Sequence, residues 1–318
     1  MEYLFVGVIL IITSLGYFRI AEYCNIVDRP NQRSSHIETT IRGGGIIFLI
    51  SIFLYQLMHQ QAPLLLLVGL FSIGLISFLD DIYNLPNSLR LCIHLMAVTC
   101  LIVVTETTQV WPLWAIPVIY ILVVGSINAY NFMDGINGIT GVYSLIAFCS
   151  LLYINIKTVY IDSNLIIYGI IACFVFLIFN FRTKAKCFAG DVGSVSVAFW
   201  IISLILLLII KTQEYKFILF LTVYGIDTVF TLAHRIIRKE NIFEAHRLHL
   251  YQLLANVGKI SHLRISSVYA FLQLVINIFV ICTSLDIFSI FLISTVPLAI
   301  IYLLLKNKFM KQLSFVKR

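Results

Sequence analysis

Long apolar runs alternate with short polar breaks along almost the whole chain. A membrane-crossing helix needs roughly 20 mostly apolar residues. Runs near that length recur at 4–20, 44–58, 63–79, 89–105, 111–127, 139–154, 164–181, 192–210, 216–233, 265–283 and 286–305. The pattern predicts an all-α fold: a polytopic integral membrane helical bundle of about eleven transmembrane helices, or ten if one of the shorter runs does not cross. Residues 1–318 read as a single integral membrane domain. The first run has no basic leader and no clear small-residue cleavage site, so it is expected to be a retained span rather than a removable signal.

Composition agrees with this pattern. The chain is 60% hydrophobic and 12% charged, against about 25% charge in average soluble chains, which leaves no room for a sizeable soluble domain. The net charge of +7 is explained by topology rather than by nucleic acid. With the N-terminus outside and eleven alternating spans, all but Lys157, Lys211 and Lys216 of the 22 Lys and Arg residues fall on the inner side. That bias sets the orientation, N-terminus out and C-terminus cytoplasmic. The basic segment Lys306–Arg318 is then expected to lie against anionic membrane lipids. None of the seven cysteines forms a CxxC pair or a zinc-like set with histidine, and five lie in apolar runs.

Under this topology five polar signatures share the cytoplasmic side: Asp28–His36, Phe78–Asn84, Asn128–Ile139, Phe188–Ser194 and Glu244–Gln252. Ionisable groups in or beside the apolar phase are costly and usually functional. Asp80 and Asp81 end the third run. Adjacent carboxylates at a helix C-terminus oppose the helix dipole and repel each other, so a purely structural reading explains them poorly. Asn128, Asn131 and Asp134 recur every three residues and would form one polar stripe on a helix. Gly135 and Gly138 beside them allow close backbone approach, and Asn137 adds an amide. Asp191 opens the eighth run, where it reads either as an N-cap or as a metal ligand beside a phosphate-attracting helix N-terminus. Arg33, Ser35 and His36, followed by Arg42 and the triplet Gly43–Gly45, suit phosphate contact. His246, Arg247 and His249 lie in the longest hydrophilic segment and suit anion binding better than zinc. Together these groups describe a phosphate-handling site whose hard oxygen donors select Mg²⁺ or Mn²⁺.

These motifs make the chain resemble the polyprenyl-phosphate N-acetylhexosamine-1-phosphate transferases. The residues that carry the resemblance are Asp80-Asp81, Asn131-x-x-Asp134-Gly135 with Asn128 before them, and Gly190-Asp191-Val192-Gly193-Ser194. Residues 30–36 and 42–45 are similar to the branch that starts O-antigen and related surface glycans. The run 246–252 is similar to a sub-branch linked to 6-deoxy amino sugars, and it departs from relatives carrying His-x-His-His at Arg247 and Leu250. The resemblance implies a multi-pass enzyme of the bacterial inner membrane. Its partners would be a UDP-N-acetylamino sugar and undecaprenyl phosphate, and its products undecaprenyl-diphospho-sugar and UMP. It implies that Asn131 and Asp191 hold the metal and that Asp80 assists deprotonation of the lipid phosphate. Asp81 and Asp134 would order the site, and His246, Arg247 and His249 would bind the donor. Whether the chain forms a homodimer stays open. Two rival classes are a transporter and a catalytically silent scaffold. The acids gather at one face without an internal repeat, unlike many transporters, and the full acidic set argues against a silent homologue.

Overall fold

The structure is a computed structural model, and it describes residues 1–29, 39–241 and 247–316, with side chains to residue 313. The apolar runs become α1 (Glu2–Tyr23), α2 (Ile46–His59), α3 (Leu64–Tyr83) and α4 (Asn87–Val104). A short α5 (Thr107–Val110) precedes α6 (Ala115–Met133), α7 (Ile139–Thr158), α8 (Ser163–Asn180) and α9 (Gly190–Thr212). A 3-10 turn, Tyr215–Leu221, leads into α10 (Thr222–Ile237). The chain ends with α11 (Leu250–Asn256), α12 (His262–Cys282) and α13 (Ile287–Val316). A small antiparallel ribbon, β1 (Val27–Asp28) with β2 (Thr40–Ile41), precedes α2. This is the expected all-α polytopic bundle.

Among the described residues, ten stretches are helical, long and apolar enough to cross a membrane; α2 is the shorter eleventh. Its 14 residues rise about 21 Å, less than the roughly 30 Å hydrocarbon core. It nevertheless joins both ends of the bundle. At its C-terminus His59 pairs with Glu2 at 2.7 Å, and Tyr55 donates to Asp162 ahead of α8 at 2.8 Å. At its N-terminus Gly45 lies against Ala189 and Gly193 of the α9 entrance. α2 therefore reaches from the Glu2–Asp162 end of the bundle to the α9 entrance.

At the centre is α9. It is apolar all round, as a helix surrounded by others must be, and packs against α2, α3, α6 and α7. Its N-terminus therefore opens among the ends of its neighbours. The backbone fit there depends on glycine. Gly45 and Gly193 approach so closely that a Cβ on either would overlap the other's backbone. The break between the 3-10 turn and α10 is closed by Gln273 of α12, which accepts from Val223 N at 3.0 Å and donates to Leu219 O at 2.9 Å. Buried backbone groups need such partners where no water can reach them.

The structure adds detail to two of the polar segments. The segment 306–316 continues α13, and Lys306 is buried, donating to Tyr302 Oη at 2.7 Å and Thr231 Oγ1 at 2.8 Å. Lys306 is thus solvated by two hydroxyls, on α13 and α10, whereas Lys308 and Lys311 further along the segment are exposed. The hydrophilic segment between α10 and α12 contains the short helix α11.

Candidate active site

At the C-terminal end of α3, Asp80 and Asp81 diverge and are both buried. Asp80 accepts from Leu85 N at 2.6 Å and pairs with Arg90 at 2.6 Å. Asp81 pairs with Arg42 Nε at 2.8 Å and accepts from the backbone N–H groups of Asp191 and Val192 at 2.9 and 3.0 Å. The repulsion expected between neighbouring carboxylates is thus answered by two separate guanidinium groups. Asp81 also caps α9 from another helix, which favours a negative charge at that position.

That contact corrects two readings of the Asp191 motif. Asp191 is not the N-cap: Ala189 occupies that position and Asp191 lies in the first turn. The first amides of α9 face Asp81 rather than standing open to a phosphate. Gly190 adopts φ +71°, and a Cβ there would meet Asp81 Oδ2 at 2.5 Å and Gly43 N at 2.9 Å. The triplet has a similar structural use. Gly44 N and Gly45 N donate to the carbonyls of Phe188 and Ala189 at 2.8 and 3.0 Å, so these N–H groups seat the loop onto α9 instead of contacting phosphate.

Asp191 is the hub of the cluster. Its carboxylate lies 3.3 Å from Arg90 and 3.9 Å from Arg42, with the side chain of Asn131 of α6 beside it. Helix α6 runs past its apolar stretch to Met133, so Asn128 and Asn131 are helical and Asp134 is its C-cap. Asn128 donates to Val124 O of its own helix at 3.0 Å. Asp134 accepts from Thr140 Oγ1 at 2.6 Å. Burial pushes its carboxyl up to about 7; the Thr140 hydrogen bond pulls the other way, and the charges of Asp191 and Asp81 add to the rise. Asn137 turns away from the acids. Its amide donates to Arg182 O at 2.7 Å and its backbone carbonyl accepts from Ser266 at 2.8 Å.

The described part of the Glu244–Gln252 signature, residues 247–252, joins the same end of the bundle. Tyr251 donates to Phe132 O at 2.8 Å and fills the space that Gly135 leaves open. His249 is buried beside Phe132, with ring centres 6.2 Å apart. Arg247 is half-buried two residues before it. Arg33, Ser35, His36 and His246 lie outside the described residues.

Sequence reasoning missed three residues of this end. Arg90 bridges Asp80 and Asp191, yet in the sequence it is a single cation opening an apolar run. Asp227 sits inside an apolar stretch and receives His249; its place within a span was the available signal. Asn180 accepts from Gly138 N at 2.7 Å and donates to Cys187 O at 2.8 Å, tying together the turns that precede α7 and α9.

Among the described residues, no group of three His, Cys, Asp or Glu side chains is arranged to hold a metal. Mg²⁺ commonly takes only one or two carboxylates and fills its other positions with water and substrate phosphate. Asp191 supplies one such carboxylate, and Asn131 beside it supplies an amide side chain.

Residues 63–209 match the family model described as glycosyl transferase family 4, a span that contains Asp80, Asp81, Arg90, Asn131, Asp134 and Asp191. The match supports a phospho-sugar transferase in general. No curated protein gives a significant match.

Proposed function

We propose that the protein transfers an N-acetylamino-sugar 1-phosphate from a UDP-sugar to undecaprenyl phosphate, releasing UMP and initiating an O-antigen or other surface polysaccharide. One observation carries this reading. Four carboxylates, Asn131 and two arginines from five separate segments converge at one end of a membrane bundle. The charge bias of the loops favours the cytoplasmic face of the bacterial inner membrane for that end.

The chemistry is a displacement at the β-phosphorus of the donor. An oxygen of the lipid phosphate forms the new P–O bond, the bond to the bridging oxygen breaks, and its electron pair leaves with UMP. Arg42 and Arg90 fix the carboxylates and stand ready to meet phosphate charge, for which guanidinium geometry is suited. Asp80 takes any proton the lipid phosphate still carries. This contribution is small near neutral pH, because the second phosphate pKa is about 6. Asp81 holds the entrance of α9, and so the position of Asp191. Asp134 and Asn128 border the donor side, while His246, Arg247 and His249 approach the sugar or its phosphate. Mg²⁺ (or Mn²⁺) held by Asn131 and Asp191 would neutralise charge developing on the diphosphate.

The test uses a UDP-amino sugar labelled in its β-phosphate, with the protein in vesicles containing undecaprenyl phosphate. The proposal expects the label in the organic-soluble lipid and UMP in water. Sugar arriving in lipid without the β-phosphate would contradict it.

A further inference from the structure

Asp227 lies within α10 and is almost fully buried. A lone carboxylate there would be costly, so the groups around it define its role. Its Oδ1 accepts from Leu250 N at 2.9 Å and meets His249 Nδ1 at 3.2 Å. Its Oδ2 accepts from Tyr269 Oη at 2.8 Å and from Tyr251 N at 3.4 Å. Behind it, Lys306 donates to Tyr302 Oη, which in turn approaches Oδ1 at 3.4 Å. The carboxylate therefore has a buried cation two hydrogen bonds away and a histidine directly on its other side.

His249 is also the N-cap residue of α11 and makes no side-chain cap of its own. Asp227 takes over that duty by receiving the first amides of α11 on its two oxygens, and Oδ1 also meets the imidazole through Nδ1. A carboxylate on one ring nitrogen sets the tautomer and orientation of a histidine. The ring lies against Phe132, one residue beyond Asn131.

We propose that Asp227 is a positioning residue for the transfer reaction, acting through His249: the buried carboxylate fixes the imidazole at the border of the Asn131–Asp134 turn, where the donor's sugar-phosphate binds. The inference rests on the transferase reading above. Carboxylate partners that orient metal-bound histidines typically matter by about ten- to a hundredfold, and the same order of effect is expected for an imidazole oriented in the same way. Asp227→Asn should therefore lower kcat/KM for the UDP-sugar by that factor, mainly through donor KM.

A purely structural role would also lower activity, so the test is a double-mutant cycle. Asp227→Asn, His249→Ala and the double variant are compared by donor kcat/KM, with the thermal transition recorded for each. Acting through His249, the Asp227 effect disappears in the His249→Ala background, and the double variant equals His249→Ala alone. Independent, multiplying losses would overturn the proposal, as would an Asp227→Asn enzyme with wild-type KM. If Asp227→Asn gives no sharp thermal transition, Asp227→Glu is put through the same cycle: loss of its effect in the His249→Ala background supports the proposal, and multiplying losses overturn it. Tyr269→Phe removes a hydrogen bond from the other carboxylate oxygen. It should lower thermal stability and leave kcat/KM within about twofold. A wild-type protein inactive with every donor would fail the transferase reading itself, whereas an active wild type with an additive cycle fails only the role of Asp227.

Discussion

Gly45→Ala adds a single methyl group where α2 meets the entrance of α9. An ideal Cβ at residue 45 would stand 2.7 Å from Ala189 O and 2.9 Å from Gly193 N, and closer still to Gly193 Cα. These are backbone atoms, so no side chain can rotate away. Ordinary contact begins near 3.4 Å, so the two backbones must part by at least the difference from Ala189 O, about 0.7 Å. Overpacking of this kind costs about 1–3 kcal/mol. The same shift breaks or stretches the Gly45 N to Ala189 O hydrogen bond and displaces Asp191, two residues further on. Misplacement near 1 Å at a reacting centre can cost about a hundredfold in rate, so turnover should fall roughly ten- to a hundredfold. The matched control is Gly125→Ala on α6, where a Cβ meets nothing within 4 Å. There alanine should be neutral or stabilise by about 0.5–1 kcal/mol. The assay is the thermal transition of each variant, together with UMP release. If Gly45→Ala matched Gly125→Ala in both, the close seating of α2 on α9 would be refuted as the device that places Asp191.

Further expectations concern the charged groups. Asp191→Ala should abolish transfer, and substantial residual UMP release would remove Asp191 from the metal site. Asp80→Asn should lower kcat more than donor affinity; an unchanged kcat would end its part in proton removal. Arg90→Ala leaves the buried Asp80 carboxylate without its 2.6 Å partner and should cost about 3–5 kcal/mol of stability, seen as a lowered thermal midpoint; a midpoint equal to wild type would contradict the pairing. Asp134, raised to about 7 mainly by burial, is neutral in the folded protein at pH values where the unfolded carboxyl, with a pKa of about 3.9, is already ionised. Its contribution to stability is full below about pH 4 and lost as pH rises through about 7. In chelator, wild type should lose more thermal stability between pH 5 and 8 than Asp134→Asn, and equal losses would contradict the shift.

The bundle was legible because apolar runs report spans directly, and α2 was legible as a run for the same reason although its short length left ten or eleven spans open. The acids of the candidate site were legible for a related reason: Asp80, Asp81 and Asp191 stand where an apolar run stops or starts, and Asp134 stands in the break between two runs. Their partners were not. Arg90 and Asp191 are about a hundred residues apart, and only the packing of α4 and α9 beside α3 joins them. Asn137 looked like one more site amide, yet its side chain is spent on the carbonyls of Arg182 and Thr183. The glycine triplet looked like a phosphate cradle, whereas its amides face another loop. Side-chain type reveals that a polar group is present in an apolar phase; only tertiary packing decides whether it meets a ligand or a backbone.

The most direct test of the central claim is UMP release by the purified protein from a panel of UDP-amino sugars, with undecaprenyl phosphate and Mg²⁺ each present or withheld. The account predicts UMP from at least one donor, only when both lipid and metal are supplied, and none from Asp191→Ala. UMP that forms without the lipid phosphate, or none from any donor by protein with a sharp thermal transition, would contradict it.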